Sequence, residues 1–433
     1  MSTAHLAANA ERHLRTLCSV APNRRTGSPG NREATEYFAR VVRSFGYTTD
    51  TTPFPCLDWS HGRSSLSNGS SEYVIEASPY SLGCDLSAPL VTAATADELR
   101  SLDCSKRILL LTGSLASEQL MPKHFPFYNP EHHQQLYALL ERKRPAAIVA
   151  ATQRNPESAG ALYPFPLIVD GDFHIPCAHC TAETGERIAS NGDGEFRLTI
   201  DAERRESSAS NVVVRTHPDA ARKIVVTAHI DAYEDTPGAT DNAAGVVVLL
   251  LLAELLASDS GGRIAGDRMP DTSPTERFAG EIGRAAAGDT SSPGIEIAAL
   301  NGEDHYGAPG QKDYLARYGE SLESARAVIN IDGAGYREGA TAYSIYDCPD
   351  DVRRATEAAF ARYSGLIEGP QWFAGDHSIF LQRGVPAIAI TTARVEQLLA
   401  RAAHTPEDSP EIVDCAKLAE LAGALADLLG KIG

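Results

Sequence analysis

Long apolar runs are missing from this 433-residue sequence. The longest runs from Val246 to Leu252 and extends only to Ala257 with a glutamate inside it, which is too short to cross a bilayer. The amino terminus has apolar residues at helical spacing, but charged residues break any apolar run in it, so we do not expect a signal peptide. We therefore expect neither a membrane-spanning segment nor a secretion signal.

Positive charge is scarce as well. The chain has 39 Lys and Arg against 57 Asp and Glu, a net charge of -18, and no basic stripe offsets this excess. Such a surface repels phosphate backbones and anionic lipid. The composition therefore excludes nucleic acid and membranes as expected partners.

A dense cysteine framework is also absent. Eight cysteines are scattered along the chain, which is typical of reduced thiols and predicts a cytoplasmic protein. The segment HIPCAHC holds Cys177 and Cys180, but no second cysteine pair lies near it. We interpret it as a strand end with two buried thiols rather than a metal knuckle.

The length predicts two or three domain-sized units, and the texture of the sequence suggests where they divide. Residues 1–58 predict helices and an extended segment, and 59–205 predict a strand-rich insert that ends in a polar linker, Arg204 to Ser210. Residues 206–433 then resume the first unit. Within them, 258–294 are rich in Gly, Ser, Asp, Ala and Pro and predict a surface excursion.

The most informative stretch is 224–245, IVVTAHIDAYEDTPGATDNAAG. A β-branched run ends at His229, and Asp241 precedes an apolar run that is long enough for a buried helix. Ligands of open α/β sheets bind in such strand-to-helix crevices, and His with Asp is a common ligand set for a divalent metal. The stretch alone is equally compatible with a satisfied histidine beside an acidic loop.

Three later strand candidates lead to the same kinds of residue. They are Ile295 to Leu300, which runs into Glu303 and Asp304; Ala327 to Ile331, which runs into Asp332; and Ala387 to Ile390, which leads through a short helix to His404. Together with the first stretch they supply two histidines and four carboxylates at one predicted sheet edge. That set is enough to hold two metals, with one carboxylate left to move a proton.

These residues resemble the co-catalytic zinc exopeptidase family that includes bacterial leucyl aminopeptidases, aminopeptidase Y, glutamate carboxypeptidase and glutaminyl cyclase. The resemblance also covers the amino terminus and the insert, which is similar to a protease-associated domain. The matching motifs are His229-x-Asp231, Asp241-Asn242, Glu303-Asp304, Asp332, Gly375-Asp376-His377 and His404-Thr405. Two positions depart from the family pattern: Gly375, where Ser is usual, and Asp304, where Glu is more frequent.

The resemblance implies a role for each of these residues. One zinc would take His229 and Asp332, the other Asp304 and His404, and Asp241 would bridge the two ions. Glu303 would be the general base. Asp231 would orient the ring of His229, as partners of metal-bound histidines do.

The resemblance further implies a mixed, mostly parallel α/β sheet flanked by helices, with the strand-rich insert, and an aminopeptidase that acts on peptides with two zinc ions. Two metals lower the pKa of a shared water and polarise a carbonyl, which suits peptide-bond hydrolysis. The alternatives are a glutaminyl-peptide cyclotransferase, which needs one zinc, and a non-catalytic peptide-binding relative. The acidic residues Glu234, Asp235 and Asp376 near the motifs favour binding an ammonium group, whereas Lys312 and Arg383 are the nearest cations in sequence.

Overall fold

The computed structural model describes residues 2–21, 23–69, 71–154, 159–192, 194–217, 220–259 and 293–432. The strands are β1 Thr49–Asp50, β2 Pro53–His61, β3 Ser65–Asn68, β4 Ser71–Val74, β5 Glu76–Ala77, β6 Cys84–Ala93, β7 Ile108–Leu111, β8 Ala147–Thr152, β9 Cys177–Thr181, β10 Glu195–Ile200, β11 Ala202–Ser210, β12 Val212–Arg215, β13 Lys223–His229, β14 Gly294–Leu300, β15 Ala325–Ile331, β16 Thr341–Tyr346, β17 Leu366–Glu368 and β18 Ala387–Thr392.

The α-helices flank these strands. They are α1 Thr3–Cys18, α2 Pro29–Ser44, α3 Ala96–Ser101, α4 Glu131–Lys143, α5 Ala182–Ser190, α6 Ala244–Asp259, α7 Pro309–Tyr318, α8 Asp350–Phe360, α9 His377–Leu381, α10 Val395–Arg401 and α11 Cys415–Leu429.

The main sheet has eight strands in the order β1-β12-β14-β13-β15-β18-β16-β17. Its four central strands, β14, β13, β15 and β18, are mutually parallel, and antiparallel pairs join them to β12 and β16. The central strands are almost wholly buried, as expected for parallel strands that carry helices on both faces. The mixed, mostly parallel α/β fold predicted from the sequence is confirmed.

Helix α6 follows the central strand β13 and forms the middle of the core. Every residue from Val246 to Ala253 is fully buried, because the helix packs between the sheet and helices α1, α2 and α11. Ala239–Ser258 is long and apolar enough to cross a membrane by length and composition alone, unlike our expectation from the run length. However, 78% of its most apolar 18 residues are buried inside the protein, as in the core helix of a soluble fold.

The second sheet contains the predicted insert. Its order is β4-β3-β10-β6-β7-β8-β9-β5, and all of its strands come from residues 65–200. Two apolar cores cover its faces. Cys177 and Cys180 lie buried on β9, in agreement with the interpretation of HIPCAHC as a strand.

A two-stranded ribbon joins the two sheets. Strands β2 and β11 pair antiparallel over nine residues, from Pro53 with Ser210 to His61 with Ala202. The linker predicted for Arg204 to Ser210 is therefore wrong, because main-chain hydrogen bonds hold this polar segment as a strand whatever its side chains. The predicted domain limits, 58/59 and 205/206, both fall inside the ribbon. The excursion predicted for 258–294 lies almost entirely outside the described residues.

Residues 59–205 are expected to fold cooperatively when expressed alone. Both apolar cores of the second sheet are built almost wholly from this range, so little of their burial depends on the rest of the chain. Circular dichroism and thermal unfolding check this result. The fragment 53–210, which retains the whole ribbon, is tested in parallel. If both 59–205 and 53–210 were disordered, the domain assignment would be contradicted.

Candidate metal centre

The candidate residues follow the carboxyl ends of three adjacent parallel strands. His229 is the last residue of β13 and pairs in register with Leu300, the last residue of β14. Glu303 and Asp304 follow β14, and Asp332 follows β15. The parallel register therefore brings these side chains to one edge of the sheet, where open α/β sheets bind their ligands.

The first group of potential ligands surrounds His229. Its Nε2 lies 3.1 Å from Oδ1 of Asp241 and 3.7 Å from Oδ1 of Asp332. Asp241 reaches this position from the turn that precedes α6. The ligand atoms of the three residues lie within 4.8 Å of one another, which is compact enough for one ion.

The second group surrounds His404 and shares Asp241 with the first. The His404 Nε2 lies 3.3 Å from Oδ2 of Asp241 and 3.4 Å from Oδ1 of Asp304. Because the two carboxylate oxygens of Asp241 face different histidines, this one side chain connects both groups. The structure thus brings together all five of the ligands predicted from the sequence.

Several polar atoms of these residues are buried without a hydrogen-bond partner. They are both ring nitrogens of His229, Oδ1 of Asp231 and Oδ2 of Asp304. Buried polar atoms are normally satisfied, so a concentration of unsatisfied ones in a single place needs a cause. Histidine nitrogen and carboxylate oxygen are the donors that zinc prefers, and the set fits a pair of divalent ions.

The charges of the residues at this edge of the sheet also agree with the binding of divalent ions. Burial and the neighbouring Asp241 raise the pKa of Asp304 to about 6. Although desolvation lowers the pKa of His229 and His404, their carboxylate neighbours outweigh it and raise both values well above the usual range. The groups therefore hold a surplus of negative charge that divalent cations would offset.

Glu303 belongs to neither group of ligands. Desolvation, together with the charges of Asp304, Asp332 and Asp376, raises the pKa of Glu303 well above its usual range. It therefore lies within reach of the charges of these carboxylates but outside both groups of potential ligands, and its role as general base stays a prediction.

Residues 211–429, just over half of the chain, match peptidase family M28. This chain belongs to family M28. The chain is 26% identical over 323 residues to a probable leucine aminopeptidase of Arthroderma benhamiae, with 71% of this chain and 78% of that protein covered. It is 24% identical over 255 residues to a probable lipoprotein aminopeptidase, LpqL, of Mycobacterium tuberculosis, with 57% of this chain and 48% of that protein covered.

The alignment with the mycobacterial relative thus spans about half of that protein's length. Among solved structures, a zinc aminopeptidase from Bacillus subtilis superposes with a TM-score of 0.70 at 18% identity, with 98% of this chain and 94% of that chain covered. At that identity the superposition shows a shared fold.

In this M28 chain, Asp231 connects His229 to the amino-terminal segment. Its Oδ1 lies 3.6 Å from Nδ1 of His229, on the opposite side of the ring from Asp241. Its Oδ2 accepts hydrogen bonds from the hydroxyl of Thr26 at 2.8 Å and from the main-chain N–H of Asp304 at 3.2 Å. Asp231 therefore lies beside the imidazole and binds the backbone of Asp304, while its role in orienting His229 stays a prediction.

Asp408 is a positioning residue that our sequence analysis did not identify. It is fully buried, and its Oδ1 accepts from the N–H of Thr240 at 2.8 Å and from the Thr240 hydroxyl at 2.7 Å. Its Oδ2 accepts from the N–H of Asp241 at 3.0 Å. Because Asp408 lies four residues after His404, it ties the loop of one ligand to the loop of the shared one.

The segment Gly375-Asp376-His377 lies beside the site without joining either ligand group. Gln311 donates to Asp376 at 2.9 Å, and a ring nitrogen of His377 is 2.7 Å from the carbonyl oxygen of Trp372. A Cβ on Gly375 would lie 3.2 Å from Oδ2 of Asp332. Glycine at this position therefore leaves room beside the Asp332 carboxylate.

A cavity of about 780 Å³ opens beside His404. The insert forms most of its wall, and Tyr233, Glu234 and Asp235 form the rest together with His404 and Pro406. The ring of Tyr233 stacks on that of His404 at 4.5 Å between centroids. The cavity therefore reaches the second group of ligands directly.

Replacement of Asp408 by alanine is expected to weaken divalent-metal binding by roughly 10- to 100-fold, the usual effect of losing a partner that orients metal ligands. Removal of the carboxylate leaves the Thr240 and Asp241 main chain without its acceptors. Titration against a chromogenic chelator measures the change, and circular dichroism verifies the fold. The exposed neighbour Glu407→Ala is the control, and equal metal affinity in both variants would contradict the assignment.

Proposed function

We propose that this chain is a zinc-dependent aminopeptidase that removes the amino-terminal residue of peptides. The observation that carries the proposal is the shared position of Asp241, whose two oxygens face His229 and His404 at 3.1 and 3.3 Å. A carboxylate between two otherwise separate ligand groups is suited to bridge two ions. Membership of family M28 and the aminopeptidase relatives support the same reading.

In this proposal His229 and Asp332 hold one zinc ion, Asp304 and His404 hold the other, and Asp241 bridges them. Zinc bound there would supply Lewis acidity, which polarises the scissile carbonyl and lowers the pKa of a water molecule. The side chain of Asp304 is shorter than that of a glutamate. It can still reach the proposed zinc ion, because Asp231 accepts a hydrogen bond from the Asp304 main chain and holds it beside the site. The two-ion count is part of the proposal.

Glu303 is the proposed general base. It lies next to the ligands without belonging to either group, and its pKa is raised by desolvation and by neighbouring carboxylates. A carboxylate that is not held by metal is free to take a proton from water and pass it to the leaving amine. Asp231 keeps the ring of His229 oriented during this transfer.

The charges around the site favour a free amino terminus over a free carboxyl terminus. Arg25 is bound to Asp58 and Glu234 at 2.6 Å each, so it is not available for a substrate carboxylate. Among the residues that line the described cavity, Arg63 is the one Lys or Arg, and it pairs with Glu72 at 3.0 Å. The remaining excess of carboxylates attracts an ammonium group.

Peptides with a free amino terminus are expected to be hydrolysed, whereas the same peptides acetylated at that amine are not. Acetylation removes the positive charge that the carboxylates attract. Chromatography of the products with and without a chelator measures both effects, and added zinc should restore the chelated enzyme. Equal rates on free and acetylated peptides would contradict the aminopeptidase assignment.

The variant Glu303→Gln is expected to retain about two zinc ions per chain and to lose roughly 10²- to 10⁴-fold in kcat, the usual contribution of a positioned general base. Elemental analysis and turnover are measured on the same sample, with the exposed Glu407→Gln as control. If Glu303→Gln instead lost its metal, Glu303 would be assigned as a metal ligand and Asp304 as the general base. One ion per wild-type chain under zinc saturation would instead favour the single-zinc cyclotransferase chemistry.

A further inference from the structure

The cavity beside His404 contains two carboxylates without a strong cationic partner. Glu76 comes from strand β5 of the insert, and Asp235 comes from the loop that leads to Asp241. Their side chains are 62% and 72% exposed, and neither pairs with a Lys or Arg within the described part of the chain. Desolvation and the charge of Asp235 raise the pKa of Glu76, although His61 opposes them. The two carboxylates therefore act on the same space.

The nearby histidines offset only part of this charge. The Nε2 of His61 is 3.4 Å from Glu234 and 4.0 Å from Asp235, and Glu234 and then Asp235 raise the pKa of His61, so this one ring is shared by two carboxylates. The Nε2 of His179 is 3.5 Å from Glu76. Burial lowers the pKa of His179 to about 3, so that ring is neutral at neutral pH. Negative charge therefore remains unbalanced inside the cavity.

Two further polar atoms of the cavity wall have no partner. His179 is 4% exposed, and its Nδ1 has no hydrogen-bond partner. Because the Nε2 of this neutral ring is the atom that faces Glu76, the Nδ1 is the unprotonated nitrogen. The buried hydroxyl of Tyr233 is also unpartnered, and its ring stacks on His404. Both residues line the cavity beside His404.

Part of the remaining wall is apolar. Val74 is 81% exposed and lines the cavity together with Ile75, Leu162 and Pro164. Apolar walls with carboxylates suit a side chain that has a methylene stem and a cationic end, because the stem covers apolar surface while the charge meets the carboxylates. Lysine and arginine are the side chains with this chemistry.

We propose that this cavity binds the side chain of the substrate's amino-terminal residue and selects lysine or arginine there, with Glu76 and Asp235 as the specificity-determining residues. The proposal rests on the aminopeptidase function proposed above. It assigns a role in substrate selection to the insert, which supplies none of the proposed metal ligands. A glutamate side chain in the same place would meet like charge and is expected to be rejected.

The test compares kcat/KM for four peptides that differ only in the amino-terminal residue: arginine, lysine, leucine and citrulline. Citrulline has nearly the shape of arginine and the same α-amine but no side-chain charge. The wild type is expected to prefer arginine over citrulline by roughly 10-fold or more, in keeping with hydrogen bonds to charged groups. Glu76→Gln and Asp235→Asn are each expected to reduce this ratio by roughly 5- to 10-fold.

The control is Glu195→Gln, which removes an exposed carboxylate from the same insert outside the cavity and should leave the ratio unchanged. Thermal unfolding verifies that every variant is folded. Equal wild-type rates on arginine and citrulline peptides would overturn the inference. An arginine-to-citrulline ratio that is unchanged in both cavity variants would also overturn it. The two carboxylates would then bind the α-amine or have no role in substrate binding. Failure to hydrolyse any of the four peptides would overturn the aminopeptidase proposal itself, so the two failures are distinguishable.

Discussion

The position of the Asp241 carboxylate is the constraint on which the whole site depends. Each of its oxygens lies within 3.3 Å of a different histidine, and no other described residue is shared by the two ligand groups. Although desolvation opposes it, the adjacent imidazoles of His229 and His404 hold the pKa of Asp241 well below its usual range. The Asp241 carboxylate therefore stays ionised between the two histidines, and the proposed bridging role requires an ionised carboxylate.

The position of Asp241 is set by contacts that are distant in sequence. Asp408 accepts hydrogen bonds from the backbone of Thr240 and Asp241, while the side chain of Asn242 donates to the carbonyl of Ile331 at 2.7 Å. Ile331 immediately precedes Asp332. The Asp241 carboxylate is therefore tied by hydrogen bonds to the segments that carry His404 and Asp332.

The sequence was sufficient to predict the buried central strands β13, β14, β15 and β18 and the residues that the structure brings together beyond them, because three of these strands lead directly into a candidate residue. A β-branched run followed by His229 or Asp332 is a local signal, and parallel register alone brings such ends together. Asp408 and Thr26 carry no comparable signal, since each acts through a partner more than 160 residues away. The ribbon was missed for a related reason: β11 is polar, and its pairing with β2 is visible only in the backbone.

The cavity could not be predicted for the same reason: Glu76 lies on strand β5 of the second sheet and Asp235 on a loop after strand β13 of the main sheet, so the two meet only after folding. The loop between α1 and α2 is what relates that cavity to the metal ligands. Arg24 donates to the carbonyls of Ile230 and Gly238 at 3.2 and 2.9 Å, and Thr26 donates to Asp231. Arg25, which lies between Arg24 and Thr26 in sequence, forms ion pairs with Glu234 and with Asp58 on the ribbon.

The side chains of Arg24, Arg25 and Thr26 therefore connect three parts of the chain. These are the loop before Asp241, the Asp231 carboxylate beside His229, and strand β2, which leads into the insert. A buried arginine keeps such a geometry well, because its planar guanidinium fixes several acceptors at once. It follows that the insert is held in a defined relation to the metal edge by the amino-terminal segment. A substrate side chain bound against the insert would then be held in a defined position relative to the zinc ligands.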